Sequence, residues 1–216
     1  MKHVFISIFK EAFDRAIAII ALIILSPLFI IISVLIKLDS RGPVFFVQER
    51  AGVKGKLFNS IKFRTMMHKA AECGLGLNVK DGDERITRVG RFLRAWSLDE
   101  LPQLINVLKG DMSIVGPRPT LQYQVELYND FQRKRLLVKP GITGWAQVNG
   151  RNAISWEQKF ALDVWYVDHQ SFWLDIRILA LTSWKVLRRE GISQQGQATM
   201  EEFRGSPGAA SQPKSG

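Results

Sequence analysis

The chain has 216 residues, a formal net charge of +10 and a single cysteine. This length suits one domain with a substantial core and leaves little room for two large domains. Cys73 alone excludes an internal disulfide and a cysteine-only metal site, and it fits a reducing, cytosol-facing location. The positive charge predicts an anionic partner, which from composition alone is nucleic acid, phospholipid headgroups or a phosphorylated substrate.

The first predicted element is a membrane helix. Residues 16–36 read AIAIIALIILSPLFIIISVLI, a run long enough for a bilayer, which needs about 20 apolar residues. Lysine and arginine flank the run on both sides, which favours a cytosolic location for both ends. Pro27 removes a backbone hydrogen bond at the midpoint, and Ser26 or neighbouring protein is expected to satisfy the freed carbonyl. Two readings stay open: a re-entrant helix that breaks at Ser26-Pro27 and returns, or a kinked spanning helix.

The remaining elements are short. Residues 42–66 alternate β-like runs around Gly52 and Gly55, which predicts a hairpin. Hydrophobic periodicity then predicts helices over the following segments: 85–96, 97–110, 120–137, 154–168 and 171–189.

Tryptophan is concentrated in the C-terminal part of the chain. Five of the six tryptophans lie between Trp145 and Trp184, and arginine and lysine accompany those of the last helix. Such helices are typical of a membrane interface, although tryptophans that only fill a small core are the alternative. We therefore predict a mostly helical α+β fold with a membrane helix in residues 1–40, a cytosolic, membrane-associated domain in 41–204 and a disordered tail in 205–216.

The segment RAWSLDELPQLINVLKGDMSIVGPRP, residues 94–119, places Asp99 beside Glu100. A local interpretation makes Ser97 the N-cap of a helix and Glu100 its capping-box partner, with both acids favoured by the helix dipole. The alternative is that the two carboxylates carry chemistry. An aspartate at a helix N-terminus is expected to stay ionised, as a nucleophile or a metal ligand must.

Arginines around this pair favour the chemical interpretation. Arg94 precedes it, Arg118 follows between two prolines, and Arg151 lies farther on in the glycine-rich segment VKPGITGWAQVNGRN. Arginine recognises phosphate in a bidentate manner. Carboxylates set among arginines indicate phosphoryl chemistry with a divalent cation between carboxylate and phosphate.

Several long motifs occur together in a fixed order. They are Ser26-Pro27 within the apolar run, FFVQERAGVKGKLFNSIKFRTM, the segment 94–119 and VKPGITGWAQVNGRN. In this combination the chain resembles the bacterial sugar transferase family, the monotopic phosphoglycosyl transferases that start glycan assembly on a polyprenyl phosphate. The resemblance covers residues 5 to 203 and corresponds to the minimal form of that family, which implies that residues 41–204 are the catalytic domain.

The resemblance implies a mechanism and a location. Asp99 would attack the β-phosphate of a UDP-sugar, release UMP and hold a covalent phosphosugar, which polyprenyl (undecaprenyl) phosphate then accepts in a ping-pong scheme. Mg²⁺ is expected at Asp99, and Glu100 is the second member of the dyad. The resemblance also favours a re-entrant helix with its break at Ser26-Pro27 on the cytoplasmic face of the bacterial inner membrane.

The resemblance further implies binding residues and partners. Arg64, Arg94, Arg118 and Arg151 match positions expected to hold phosphates or the nucleotide. Expected partners are the UDP-sugar, polyprenyl phosphate, membrane lipids, a second copy in a homodimer and downstream glycosyltransferases, but not nucleic acid.

Three questions stay open at this level. The segment NGRNAISWEQKFALDVWYV is similar to members that transfer acetamido sugars, in particular UDP-N,N'-diacetylbacillosamine, whereas a hexose is the alternative. A ternary mechanism without a covalent intermediate would use the same residues. A non-catalytic basic scaffold on the membrane surface would explain the charge, but it leaves the paired acids among arginines unexplained.

Overall fold

The computed structural model describes residues 2–68, 70, 83–150, 153–188, 203 and 205, with the helix backbone alone for residues 2–8. Within these ranges the fold is mostly helical with one predicted hairpin, and a second small sheet, a parallel pair of strands, was not predicted. The elements are α1 (Lys2–Asp39), β1 (Phe45–Ala51), β2 (Leu57–Phe63), α2 (Arg88–Ala95), α3 (Gln103–Lys109), β3 (Ser113–Val115), α4 (Gln122–Glu126), α5 (Asp130–Arg133), β4 (Gly141–Thr143), α6 (Trp145–Val148), α7 (Trp156–Asp168) and α8 (Phe172–Arg188).

Helix α1 continues through Ser26 and Pro27, so the predicted break at this point is not confirmed. Proline at position 27 cannot donate to the carbonyl of Ile23, four residues earlier. The Ser26 hydroxyl donates to that same carbonyl at 2.8 Å, which confirms the expectation that serine satisfies the freed acceptor. Residues 9–39 of this helix are long and apolar enough to cross a membrane by length and composition.

One face of α1 packs on the rest of the protein along most of its length. Ala18 joins a core with α3, β3 and α8, while Ile32 and Ile36 join another core with Phe63 of β2 and Leu93 of α2. The opposite face is an exposed stripe of branched aliphatic side chains with helical spacing: Ile19, Ile20, Ile23, Ile24, Ile30, Ile31, Val34 and Leu35. The long helix therefore lies against the folded domain on one side and presents hydrocarbon on the other.

The hairpin of β1 and β2 is antiparallel, with Gln48 opposite Ser60 and Phe46 opposite Lys62. The buried side chain of Asn106 in α3 holds one edge of β2. Its carboxamide accepts from the Ile61 amide at 3.0 Å and donates to the Asn59 carbonyl at 2.7 Å. This double contact fixes the hairpin against α3.

Two predicted helices are shorter and more broken than expected. The segment 120–137 divides into α4, α5 and a 3₁₀ turn over Lys134–Leu137, because Asn129 caps a new helix in its middle. The segment 97–110 forms α3 only from Gln103, since Pro102 stands before that helix. The predicted helices over 154–168 and 171–189 are confirmed as α7 and α8.

The C-terminal tryptophans divide between the two interpretations. Trp145 stacks on Trp165 at 5.2 Å, and Trp156 packs on Phe160 at 5.7 Å, so these rings contribute to packing. Trp173 and Trp184 of α8 are 78% and 53% exposed. Of the predicted tail, only Gly205 lies within the described residues.

Candidate active site

The paired acids lie on a 3₁₀ turn over Leu98–Glu100, between α2 and α3. Ser97 before the turn adopts φ +54° and ψ +21°, and its side chain makes no capping hydrogen bond. The predicted Ser97 capping box is therefore wrong, because a left-handed residue does not direct its hydroxyl at the amides of the following turn. A left-handed conformation of a non-glycine residue costs on the order of 1 kcal/mol, a strain that structures retain mostly at functional sites.

Glu100 is buried and paired with two cations from different parts of the chain. Its Oε1 accepts from Lys62 Nζ at 2.7 Å and from Arg118 Nη2 at 2.5 Å, while Oε2 accepts from Arg118 Nη1 at 3.2 Å. Burial alone would raise the pKa of Glu100, but Arg118 and Lys62 hold that pKa well below its usual range. Glu100 is thus an ionised residue whose oxygens are both in use.

Asp99 stands in contrast to its neighbour. In the part of the chain that the structure describes, its half-buried carboxylate forms no hydrogen bond or ion pair. Burial raises the pKa of Asp99, and the attraction of Lys62 only partly opposes that rise. The pKa of Asp99 therefore moves in the direction opposite to that expected for an acid at a helix N-terminus, because desolvation outweighs the attraction of the neighbouring cations. What remains is an available carboxylate in a cationic surrounding.

Arg94 reaches the same site from α2. Its Nε donates to Thr65 Oγ1 at 2.9 Å, and its charge acts on Asp99 by lowering that residue's pKa. The helix can approach so closely because position 90 is glycine: a Cβ there would lie 2.0 Å from the Thr65 carbonyl oxygen. The structure therefore brings together four of the six predicted catalytic and binding residues: Arg94, Asp99, Glu100 and Arg118.

Arg64 does not join this group. Its buried guanidinium donates to the carbonyls of Arg41 at 2.9 Å and Ser40 at 2.7 Å, just beyond the end of α1. Cations are favoured at a helix C-terminus, so Arg64, directly after β2, fastens the end of α1, and the structure does not bring it to the two acids. Arg151, the other predicted phosphate ligand, lies outside the described residues.

Two functional candidates were missed on the hairpin, namely Lys62 and Arg50. Residues that alternate along β2 share a face, and opposite residues of an antiparallel pair share it too. Lys62 and Arg50 thus lie on one face, together with Ser60, above the turn that carries Glu100. The sequence signal was the two-residue period of β2, which groups Lys62 with Ser60, and the antiparallel pairing of the predicted hairpin, which adds Arg50.

A buried network supports the loop that carries Arg118. Arg135 donates to Asp163 Oδ2 at 2.6 Å, to the Tyr128 hydroxyl at 2.7 Å and to the carbonyl of Arg118 at 2.9 Å. Tyr128 in turn donates to Thr120 Oγ1 at 2.9 Å. The two prolines and this network together fix the backbone from which Arg118 reaches Glu100.

An available carboxylate bordered by lysine and arginine, beside a long apolar helix, is the arrangement expected of a membrane-associated enzyme acting on phosphorylated substrates. The sequence profile of the bacterial sugar transferases matches residues 5–189, and the chain belongs to that family.

Similar proteins come from several bacteria. The uncharacterised sugar transferase EpsL of Bacillus subtilis strain 168 is 52% identical over 199 residues, which cover 92% of this chain and 97% of the relative. The UDP-glucose:undecaprenyl-phosphate glucose-1-phosphate transferase of Xanthomonas campestris pv. campestris is 46% identical over 82% of this chain. The undecaprenyl-phosphate galactose phosphotransferase of Salmonella typhimurium is 44% identical over 84% of this chain. The chain spans only 38% and 41% of the latter two proteins.

Proposed function

We propose that this protein transfers a sugar-1-phosphate from a UDP-sugar to polyprenyl phosphate, releases UMP and so starts the assembly of a glycan. The observation that carries the proposal is the difference between the two acids: one is ion-paired and the other is available. Glu100 is held by Lys62 and Arg118, whereas Asp99 keeps both oxygens available among the described residues. The relatives from Xanthomonas and Salmonella, whose names give undecaprenyl phosphate as the acceptor, support the same substrate class.

The chemistry proceeds in two displacements at one phosphorus atom. An oxygen of Asp99 attacks the sugar-bearing phosphorus of the UDP-sugar, a new P–O bond forms, and the bond to UMP breaks. An oxygen of polyprenyl phosphate then attacks the same phosphorus and frees the Asp99 carboxylate, which leaves a polyprenyl-diphospho-sugar. Lys62, Arg94 and Arg118 offset the negative charge that gathers around the transferred group.

The donor set is compatible with Mg²⁺. In phosphate sites this ion is commonly held by one or two carboxylates together with phosphate oxygens and water. Asp99 provides one available carboxylate, and within the described residues no group of three or more acidic, histidine or cysteine ligands is assembled. We propose that Asp99 holds Mg²⁺ together with the diphosphate of the donor, where the ion would neutralise phosphate charge.

A labelling experiment tests the covalent scheme. The purified protein is incubated with Mg²⁺ and UDP-sugar labelled in the sugar, without a lipid acceptor. Label retained on the protein together with stoichiometric UMP is the expected result. UMP formed only after polyprenyl phosphate is added would favour a ternary mechanism, and no UMP under any condition would favour the membrane scaffold.

The sugar is proposed to be N-acetylated, in line with the resemblance of residues 149–167 to transferases of acetamido sugars. One relative supports this class: the UDP-N-acetylgalactosamine-undecaprenyl-phosphate N-acetylgalactosaminephosphotransferase of Aeromonas hydrophila is 42% identical over 80% of this chain. The Xanthomonas and Salmonella relatives carry the names of hexoses. UMP release from a panel of UDP-sugars discriminates the two, and a preference for UDP-glucose or UDP-galactose would contradict the N-acetylated assignment.

We also propose that α1 enters the membrane and returns to the cytoplasmic face. Support comes from polar contacts at both ends of the apolar segment, which reach one and the same domain. Near the N-terminal end, Ser113 Oγ donates to Asp14 at 2.6 Å, and near the C-terminal end the Val89 amide donates to Asp39 at 2.9 Å. A helix that spans the bilayer would place its two ends on opposite sides of the membrane, whereas Asp14 and Asp39 both contact one folded domain.

Cysteine labelling checks this topology. In a Cys73→Ser background, Ala12→Cys and Lys37→Cys place thiols at exposed positions on either side of the apolar run. Both should react with an impermeant maleimide from the cytoplasmic side of oriented membranes. Ile23→Cys, on the exposed aliphatic stripe, serves as the control and should react only after detergent is added. Reaction of the two flanking thiols from opposite sides would establish a spanning helix.

The pH dependence of the reaction tests the electrostatics of the pair. Lys62 lowers the pKa values of both Asp99 and Glu100. Its removal in Lys62→Met raises the pKa of Asp99 further, so a larger share of the nucleophile is protonated at a given pH. We therefore expect the acidic limb of the kcat/KM profile to move to higher pH. Lys109→Met, at an exposed position of α3, is the control and should leave the limb in place.

A further inference from the structure

Arg50 near the end of β1 is a cation that the proposed reaction has not yet used. It lines a cleft beside Glu100, into which both hairpin strands, α3 and the Arg118 loop contribute side chains. The cleft is bordered by Arg50, Ser60, Lys62, Gln103, Arg118 and Pro119. Every side chain in this set except proline can donate a hydrogen bond, and three of them are cationic at neutral pH.

The charges in this cleft do not balance. Glu100 forms ion pairs with Lys62 and Arg118, and both of its oxygens are occupied by them. Arg50 forms no ion pair within the described residues, and the one hydrogen bond seen for its guanidinium goes to the neutral Gln48 Oε1 at 2.5 Å. A partly buried guanidinium without a direct anionic partner loses hydration, and the attraction of Glu100, with which Arg50 forms no ion pair, only partly compensates this loss.

The pKa of Arg50 reflects the same excess of positive charge in the cleft. Burial lowers the pKa of Arg50 to about 10, the repulsion of Arg118 adds to that effect, and the attraction of Glu100 opposes it only in part. An anion entering the cleft would relieve both. Arginine suits a phosphate group best, because its planar fork of N–H donors matches two phosphate oxygens at once.

We propose that Arg50 binds a phosphate group of a substrate in this cleft, next to Lys62 and Arg118. The proposal rests on the proposed function for its substrates, which offer the phosphate either as the diphosphate of the nucleotide donor or as the monophosphate of the lipid acceptor. The location of Arg50 on a rigid hairpin, fixed to α3 through Asn106, keeps the guanidinium in place for this contact.

Kinetics of Arg50→Gln and Arg50→Lys test the assignment. Arg50→Gln should raise the KM of one substrate at least about tenfold, since a charge-assisted hydrogen bond contributes enough for that factor. Arg50→Lys keeps the charge without the fork and should recover part of the loss. A raised KM for the UDP-sugar identifies the donor diphosphate as the ligand, and a raised KM for polyprenyl phosphate identifies the acceptor. Arg91→Gln, an exposed arginine of α2, is the matched control and should change neither KM.

A binding measurement separates this inference from the proposed function. Inorganic pyrophosphate is titrated calorimetrically into the wild-type protein, Arg50→Gln and Arg91→Gln. If pyrophosphate binds Arg50→Gln more weakly than it binds both the wild type and Arg91→Gln, the phosphate site is supported. This result holds even if the wild type transfers no sugar phosphate. Arg50→Gln that melts like the wild type, binds pyrophosphate equally well and keeps both KM values would overturn the inference. If Arg50→Gln does not fold, Arg50→Lys decides by the same comparisons.

Discussion

Asp99→Asn is expected to abolish transfer of the sugar phosphate, with a loss on the order of 10³-fold or more. An amide does not form the acyl phosphate that splits the reaction into two displacements. The substitution barely changes the size of the side chain. In the labelling experiment without lipid acceptor, the variant should retain no label and release no UMP.

The same substitution should not weaken the fold. The folded state raises the pKa of Asp99, so above that raised pKa the wild-type protein carries the cost of a desolvated charge. Asn removes the charge, and the variant should unfold at a higher denaturant concentration than the wild type at neutral pH. The difference should vanish at acidic pH, where the wild-type aspartate is protonated.

Glu100→Gln is the matched comparison, because the folded state lowers the pKa of Glu100. Its charge stabilises the fold above the ordinary glutamate pKa, and that contribution is lost as the pH falls through the lowered value. Glu100→Gln should therefore be less stable than the wild type at neutral pH. If Asp99→Asn still retains label while Glu100→Gln does not, the assignment of the nucleophile to Asp99 is refuted.

Arg135→Met is expected to lower the free energy of unfolding by about 3–5 kcal/mol, the usual cost of removing one partner of a buried ion pair. The side chains of Arg135 and Asp163 are only 5% and 3% exposed, so the remaining carboxylate would be buried without its partner. Denaturant unfolding measures the change. Loss of the contact to the Arg118 carbonyl should also reduce kcat/KM in protein that remains folded.

Two variants control this prediction. Arg133→Met removes an exposed arginine of α5 and should change the stability by no more than about 0.5 kcal/mol. The double variant Arg135→Met, Asp163→Leu removes both charges and should recover part of the lost stability. If Arg135→Met is as stable as the wild type, the prediction is wrong, because the buried charge of Asp163 would then not depend on Arg135.

Much of this protein could be predicted along the chain, where the determining interactions are local. Helices α7 and α8 follow from the spacing of their apolar residues, and the hairpin from its turn glycines. The apolar run of α1 predicts a helix that is long and apolar enough to cross a membrane, since length and hydropathy are properties of the segment itself. The motif around Asp99 and Glu100 marks the candidate site because unusual residue types occur close together in the chain.

Only the tertiary structure decided which cations belong to the two acids. Lys62 and Arg118 lie 38 and 18 residues from Glu100, and their convergence depends on the packing of the hairpin, α3 and the proline-flanked loop. Arg64 lies two residues from Lys62 but directly after the last residue of β2, and its side chain binds the end of α1 instead. The sequence by itself determined that this protein has a pair of acids, Asp99 and Glu100, with arginines nearby in the chain. Which arginine binds a carbonyl and which faces a carboxylate depends on long-range packing that no local pattern encodes.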